Sequence, residues 1–210
     1  MHVGIVAATF ALVIPAELPD KTFISAIVLS SRYRPGPVWV GVSAGLILQA
    51  ALAVLAGRLL ALLPHRVVEG VVAGLFIAGA AYLLFVPEKV EERAGEEIAE
   101  REEEFVEGDG PPPAALGPTW ARIALTTFGI IALAEFGDLT QVLIANLAAR
   151  TRDPLSVFVG STAAFLAIAA AGVFAGRTLT RVVPLGLIRK LSGVALAALG
   201  IWSAVNTALG

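Results

Sequence analysis

The chain has 210 residues, of which 57% are hydrophobic and 15% are charged, with a mean hydropathy of +0.84 and a net charge of -2. A soluble domain is usually about half apolar and about a quarter charged, so this composition indicates an integral membrane protein. The absence of cysteine excludes disulfides and thiolate metal sites. The sequence has no cluster of basic residues with interleaved aromatics of the kind that binds nucleic acid.

Six apolar stretches follow one another along the chain, and each can cross a hydrocarbon layer of about 30 Å as an α-helix. They are Val3 to Ser30, Val38 to Leu63, Val67 to Val86, Trp120 to Ala149, Leu155 to Ala175 and Leu185 to Ala208. The sequence therefore predicts an all-α integral membrane protein with six transmembrane helices, in contact with the lipid bilayer.

One long hydrophilic segment separates the third stretch from the fourth. It divides the chain into a first unit at residues 1–86, a linker at 87–119 and a second unit at 120–210. Residues 88–109 carry eleven acidic side chains, and Pro111 to Pro113 follow them. We expect a solvated acidic loop, in which the four-residue spacing of Val90, Ala94 and Ile98 allows a short helix. The alternative is an antechamber whose negative charge concentrates cations.

The two units repeat each other. Four polar residues of the first unit recur 118 positions later in the second: Glu17, Asp20, Thr22 and Arg32 correspond to Glu135, Asp138, Thr140 and Arg150. Three spans per unit is an odd number, so the second unit must be inverted in the membrane relative to the first. The sequence thus predicts two inverted three-helix repeats, as in many secondary transporters.

Basic residues predict the orientation of the chain. With Lys21 set aside as intramembrane, the loops on the linker side of the membrane carry ten Arg and Lys residues, and the opposite loops carry four. The positive-inside rule then places the acidic 88–109 segment in the cytoplasm and both termini outside the cell membrane.

Five ionisable residues lie inside the predicted spans, away from their ends: Glu17, Asp20, Lys21, Glu135 and Asp138. Each ionised acid costs about 2.5 to 3.5 kcal/mol at the centre of a span, so a structural role alone is a poor reason to keep four of them. On a helix the acids of each repeat share one face. A proton, an ion pair with the lysine or a bound cation must offset their burial.

The threonines of the two repeats do not share that face on a regular helix. Thr22 and Thr140 would point about 140° away from the glutamates, so a break in each helix is needed to bring them to the acids. Pro19 supplies such a distortion in the first repeat, because it lacks an N–H, and Gly137 supplies backbone freedom in the second. The alternative is a proline kink that serves packing alone.

Oxygen donors dominate the candidate site. Carboxylates, hydroxyls and the amide of Gln141 suit Mn2+, Ca2+ or Mg2+ better than copper or zinc. Ser43 and Ser161 open the second and fifth spans and are candidates to line the site. Their hydroxyls can equally bond back to carbonyls of their own helices.

The segments Glu17 to Thr22 and Glu135 to Gln141 resemble the paired Glu-x-Gly-Asp-Lys/Arg-Ser/Thr motifs of the Golgi calcium and manganese transporter family, which includes bacterial manganese exporters. The resemblance covers nearly the whole chain. Two residues depart from the motif: Pro19 replaces its glycine, and Leu139 replaces its basic residue.

The resemblance implies an antiporter that exchanges Mn2+ or Ca2+ for protons, with no prosthetic group. It implies cation ligands in both repeats: Glu17, Asp20, Glu135 and Asp138. Candidate supporting ligands are Thr22, Thr140 and Gln141, and Lys21 is a charge partner of the acids. We expect the four carboxylates to meet at the membrane midplane.

Two other functions are compatible with buried acids. One is an exporter of a small organic cation such as a basic amino acid. The other is a metal-dependent membrane phosphatase, although no phosphate-binding glycine loop or catalytic serine or histidine arrangement supports an enzyme. The sequence is compatible with a homodimer and does not determine the oligomeric state.

Overall fold

The structure, a computed structural model, describes residues 1–18, 20–107, 119–175 and 185–209, and in these ranges it consists of helices joined by short connections, without a strand. Its helices are α1 Val3–Glu17, α2 Lys21–Arg32, α3 Pro35–Leu60, α4 His65–Phe85, α5 Glu88–Glu107, α6 Trp120–Ala134, α7 Leu139–Thr151, α8 Pro154–Ala170 and α9 Leu185–Leu209. A π-helical turn, Ala171–Ala175, continues α8.

The described helices confirm a multi-pass membrane protein. Within these ranges, α3, α4 and α8 together with its π-helical turn are each long and apolar enough to cross a membrane alone. The consecutive pairs α1–α2 and α6–α7 are bent by 73° and 75°, and counting each pair as one span gives up to five spans. The apolar part of α9, Lys190–Val205, is shorter than a span. The six-span prediction is thus met for up to five of its spans.

Helix α3 lies at the centre of the described fold, against α6, α7 and α8. Glycine allows two of these close approaches, because a side chain at Gly41 would collide with Thr127 of α6 and one at Gly57 with the Ala145 carbonyl of α7. Many leucines and valines of α3 and α4 are exposed, as expected for surfaces that face lipid tails.

The acidic linker forms a long helix rather than the expected loop. Helix α5 packs against α2 and α6, burying Ala99, Glu102 and Val106 at a spacing of three to four residues. Thr127 of α6 donates a hydrogen bond to Glu102, and Arg32 of α2 pairs with Glu103. The hydrophobic pattern of the sequence did not predict this buried face, because one of its residues, Glu102, is an acid. The predicted proline end, Pro111 to Pro113, lies outside the described residues.

The docking of α5 is expected to depend on pH through Glu102. Burial raises the pKa of Glu102 to about 7, although the hydrogen bond from Thr127 opposes this shift. Between pH 4.5 and about 7, Glu102 keeps its proton in the folded chain, whereas in the unfolded chain, with the usual pKa of 4.5, it has lost it. Docking of α5 therefore weakens as the pH rises from 4.5 to about 7 and levels off above that pH. Hydrogen exchange of the α5 amides, corrected for intrinsic rates, measures this change.

Glu102→Gln should remove most of that pH dependence, whereas Glu104→Gln, at an exposed position of the same helix, should keep it. Among the described residues, Glu103 acts on Glu102 through its charge, Arg32 pairs with Glu103, and Arg122 donates to the Phe105 carbonyl. An unchanged pH profile in Glu102→Gln would contradict the assignment to this carboxyl.

Candidate cation-binding site

Both predicted motifs lie at helix breaks. Glu17 ends α1 and Lys21 begins α2, whereas Glu135 follows α6 and Leu139 begins α7. Asp20 and Asp138 occupy the N-cap positions of α2 and α7, each with extended backbone at ψ 160°. The Asp138 carboxylate accepts a hydrogen bond of 3.0 Å from the Thr140 N–H, which satisfies one free donor of the helix start. The breaks thus place acids at the N-terminal ends of two helices, where negative charge is stabilised.

The second break is built around Gly137. Its φ of +83° lies in the left-handed region, which glycine adopts without the strain that a side chain would cause. The Gly137 N–H donates to the amide oxygen of Gln141 at 3.2 Å, and the Gln141 amide nitrogen donates to the Glu135 carbonyl at 2.8 Å. Gln141 therefore holds the break with the amide that the sequence analysis assigned to the cation. Pro19, the predicted distortion of the first repeat, lies outside the described residues.

Gln49 of α3 is a site residue that sequence reasoning missed. It is buried, accepts a hydrogen bond from the Gln141 amide and donates one to the Ala132 carbonyl at the end of α6. It thereby fastens the second break to the central helix. A lone amide within an otherwise apolar span was the available signal, because such a group is costly in lipid unless it is hydrogen-bonded.

Three of the four predicted carboxylates come together. Glu17, Asp20 and Glu135 each offer one oxygen, and these oxygens all lie within 4.8 Å of one another. The two glutamates are only 1% and 2% exposed. Both carboxylate oxygens of Glu17 are buried and lack a hydrogen-bond partner among the described residues. An ionised carboxylate in that position is costly without a proton or a cation beside it.

Lys21 connects the fourth acid to this group. Its ammonium nitrogen lies 3.5 Å from Asp20 Oδ2, 3.4 Å from Glu135 Oε1 and 3.7 Å from Asp138 Oδ1. The lysine of one repeat is therefore shared by acids of both repeats. Its positive charge lies among carboxylates that would otherwise repel each other.

The threonines reach the acids of the opposite repeat. The Thr22 hydroxyl donates a hydrogen bond to Glu135 Oε1, and Thr140 lies beside Glu17. Both hydroxyls are buried. The breaks thus bring the threonines to the glutamates, which regular helices would prevent, and each glutamate meets the threonine of the other motif.

The two serines that were candidate lining residues differ in their contacts. Ser161 is buried and donates to the carbonyls of Val157 and Phe158 in its own helix, at 2.9 Å and 3.1 Å. Ser43 is buried, and its hydroxyl has no hydrogen-bond partner among the described residues. Ser161 therefore has the bond back to its own helix that was the alternative reading.

A cavity of about 410 Å3 reaches the acids from the side of α4 and α9. Asp20, Asp138 and Thr140 lie on its wall beside the helix breaks, and Tyr82 and Leu196 lie on the wall opposite. Asp20 and Asp138 are accordingly partly exposed, with 17% and 24% of their side chains accessible. Two of the four acids therefore border a cavity, whereas Glu17 and Glu135 are buried behind them.

Comparison with known proteins identifies the family whose members this chain resembles. Residues 5–91 and 123–209 match the family model described as divalent cation/proton antiporter GDT1. These two segments together cover most of the chain and contain both motifs. No solved structure matches the chain.

Individual relatives give the same result. A GDT1-like protein of Synechocystis is 32% identical over 142 residues, which are 68% of this chain and 68% of the relative. A Vibrio cholerae protein named as a candidate manganese exporter is 30% identical over 192 residues, covering 90% of this chain and 84% of the relative. A GDT1-like protein of rice is 24% identical over 194 residues, covering 89% and 68%.

Proposed function

Because the chain belongs to the GDT1 family of divalent cation/proton antiporters, we propose that it exchanges Mn2+ or Ca2+ for protons through a midplane site of four carboxylates. The family consists of transporters rather than enzymes, so the phosphatase alternative is set aside. The cation is a transported substrate, and the proton is its counter-ion.

One observation carries this proposal: buried acids of two different helix breaks meet within 4.8 Å of one another. Carboxylate oxygens at that separation can share one dication, and Glu17 has both oxygens unpartnered within the described ranges. The proposed ligands are the four acids already named, Glu17, Asp20, Glu135 and Asp138. Thr22 and Thr140 complete the oxygen donors, and Gln141 supports the site through the backbone of the second break.

Competition between cation and protons for these oxygens supplies the coupling. A dication offsets part of the charge of the four ionised carboxylates, and when the cation leaves, burial and mutual repulsion favour protonation. A site that is empty and fully ionised is too costly to pass between access states. Cation and protons therefore cross in alternate steps and in opposite directions.

Lys21 occupies the empty site between cation loads. Its ammonium group lies within 3.7 Å of three of the four acids, the distances expected of an internal counter-charge. An arriving dication displaces it, and the departing dication allows its return. This exchange lowers the cost of the unloaded site without holding the substrate too tightly.

Packing of the helices supports two inverted repeats. Helix α3 of the first unit packs against α6 and α7, the broken span of the second unit. Helix α8 of the second unit packs in turn against α1 and α2, the broken span of the first. The two breaks also bend by nearly equal angles. We propose that the α5 face is cytoplasmic and that both termini lie outside the cell membrane, because basic residues are in excess on the α5 face.

Manganese is the first cation to test, because one relative is named as a candidate manganese exporter and the donors are all oxygens. Purified protein is reconstituted into liposomes with an acidic interior, and Mn2+ entry and proton exit are followed together. We expect Mn2+ to enter only while the proton gradient lasts, with protons leaving in step. Ca2+ should compete if it shares the site.

Two outcomes would contradict the proposal. Mn2+ entry at the same rate with and without the proton gradient would exclude exchange of Mn2+ for protons. The organic-cation alternative would be favoured instead if free lysine displaced a ligand bound at the site and neither Ca2+ nor Mn2+ displaced it. Liposomes without protein provide the baseline for both measurements.

A further inference from the structure

Helices α4 and α9 form a unit of their own, here called the α4–α9 pair. They pack against each other more extensively than any other two described helices. Gly193 of α9 lies against Leu84 of α4, and Gly200 of α9 lies against Ile77, so the two backbones are close. The pair touches the other described helices mainly through α7, α1 and the end of α5.

A cavity separates the α4–α9 pair from the helix breaks on one face of the protein. This is the 410 Å3 cavity that reaches Asp20 and Asp138. On α4 it extends from Leu75 to Leu83, toward the end of the helix that α5 follows. We call this side the linker face. Asp20 and Asp138 therefore border a cavity on the half of α4 that is nearer the linker face.

At its other end the α4–α9 pair is fastened to α7. Glu69, in the second turn of α4, pairs with Arg150, in the last turn of α7, and their side chains are only 1% and 16% exposed. Arg150 also lies 3.3 Å from the Ser203 hydroxyl of α9, and its guanidinium carbon is 4.3 Å from the centre of the Trp202 ring. A single arginine thus joins three helices.

A polar pocket of about 300 Å3 lies at this second face, which we call the arginine face. Glu69, Arg150 and Asn146 are among its lining residues. Asn146 is one turn before Arg150 on α7, is 4% exposed, and its amide nitrogen has no hydrogen-bond partner among the described residues. It lies on α7 between the second break and Arg150, on the way from the acids to the arginine face.

The matching arginine of the first repeat makes a weaker connection. Arg32, 118 residues before Arg150, pairs with Glu103 of α5 on the linker face, and its side chain is 54% exposed. Exposed ion pairs contribute little, whereas breaking a buried pair leaves an uncompensated charge at high cost. The asymmetry matches the two cavities: the pocket beside the buried pair has none of the four acids among the described residues of its lining, whereas the cavity toward the side of the exposed pair is lined by Asp20 and Asp138.

From this arrangement we propose that the Glu69–Arg150 ion pair is the gate of the arginine face, and that the α4–α9 pair is the element that moves when it opens. This gate rests on the proposed antiport function, and it is the step by which access to the acids changes from one face to the other. When the Glu69–Arg150 ion pair breaks, the α4–α9 pair swings away from α7 at the arginine face and closes the cavity at the linker face. Glu69 and Arg150 act on access and do not bind the transported cation.

The chain lacks cysteine, so single introduced cysteines report access to either face. Asn146→Cys reports the arginine face and Leu83→Cys the linker-face cavity. Each is combined with Glu69→Gln, and the rate of modification by a water-soluble maleimide is measured in purified protein without cation. We expect the rate to rise about tenfold at position 146 and to fall by a similar factor at position 83.

Matched variants separate gating from damage to the fold. Glu104→Gln, which removes an exposed acid of α5, should leave both rates unchanged. Arg150→Lys, which retains the charge, should shift both rates in the same sense as Glu69→Gln but by less. Rates that rise together at both positions, or that do not change, would overturn the proposal. Labelling requires no transport, so a failure of Mn2+ exchange would leave this result interpretable.

Discussion

Replacing Glu17 by glutamine is expected to reduce proton-driven Mn2+ uptake into liposomes at least about a hundredfold. Glu17 is 1% exposed, and its carboxylate is one of the three that meet within 4.8 Å. The amide keeps the shape of the side chain but removes a charge that both the cation and the exchanged protons require. The loss should therefore appear in turnover and in Mn2+ affinity together.

Stability separates this result from misfolding. Because the Glu17 carboxylate is buried without a hydrogen-bond partner among the described residues, neutralising it should make the cation-free protein more resistant to thermal unfolding at alkaline pH, where the acid would otherwise be ionised. Added Mn2+ should stabilise the unmodified protein and fail to stabilise Glu17→Gln. Glu104→Gln, on the exposed side of α5, is the control and should retain full uptake. Undiminished uptake by Glu17→Gln would exclude this residue from the site.

Replacing Lys21 by glutamine is expected to tighten Mn2+ binding about tenfold while slowing exchange. The ammonium group lies 3.4 to 3.7 Å from three of the acids and competes with the dication for them. Without it the empty site has no internal counter-charge, so releasing the cation costs more. Titration calorimetry measures the affinity, and the liposome assay measures the exchange rate.

Two further variants define the role of the lysine charge. Lys21→Arg keeps the charge and should remain close to the unmodified protein in affinity. Leu139→Lys places a second positive charge at the equivalent position of the other repeat, on the wall of the same cavity, and should weaken Mn2+ binding. Weaker binding by Lys21→Gln would show instead that Lys21 holds the site together.

Sequence reasoning located the acids, because burial of ionisable groups in apolar spans is costly enough to be informative. The spacing also indicated that Thr22 and Thr140 could reach the glutamates only across a break in each helix. It did not indicate that Thr22 would bond to Glu135 of the other repeat. That pairing depends on how two separate breaks face each other, which no local pattern specifies.

Other contacts escaped the sequence for a related reason. Gln49 is a single amide in an apolar helix, and only its position against the second break shows that it holds Gln141. Glu102 belonged to a run of acids that predicted a solvated loop, but it is buried because α5 packs against α2 and α6. Composition averages over such a helix and does not distinguish its buried face from its exposed one.

The sequence by itself determined that this is a helical membrane protein with two matching acidic motifs, because apolar length and the cost of buried charge are properties of short segments. Only the tertiary structure decided which acids meet, which amide holds the break, and which ion pair joins α4 to α7. Those outcomes depend on contacts between residues far apart in the chain, such as Arg150 with Glu69, and these contacts form only when the helices pack together.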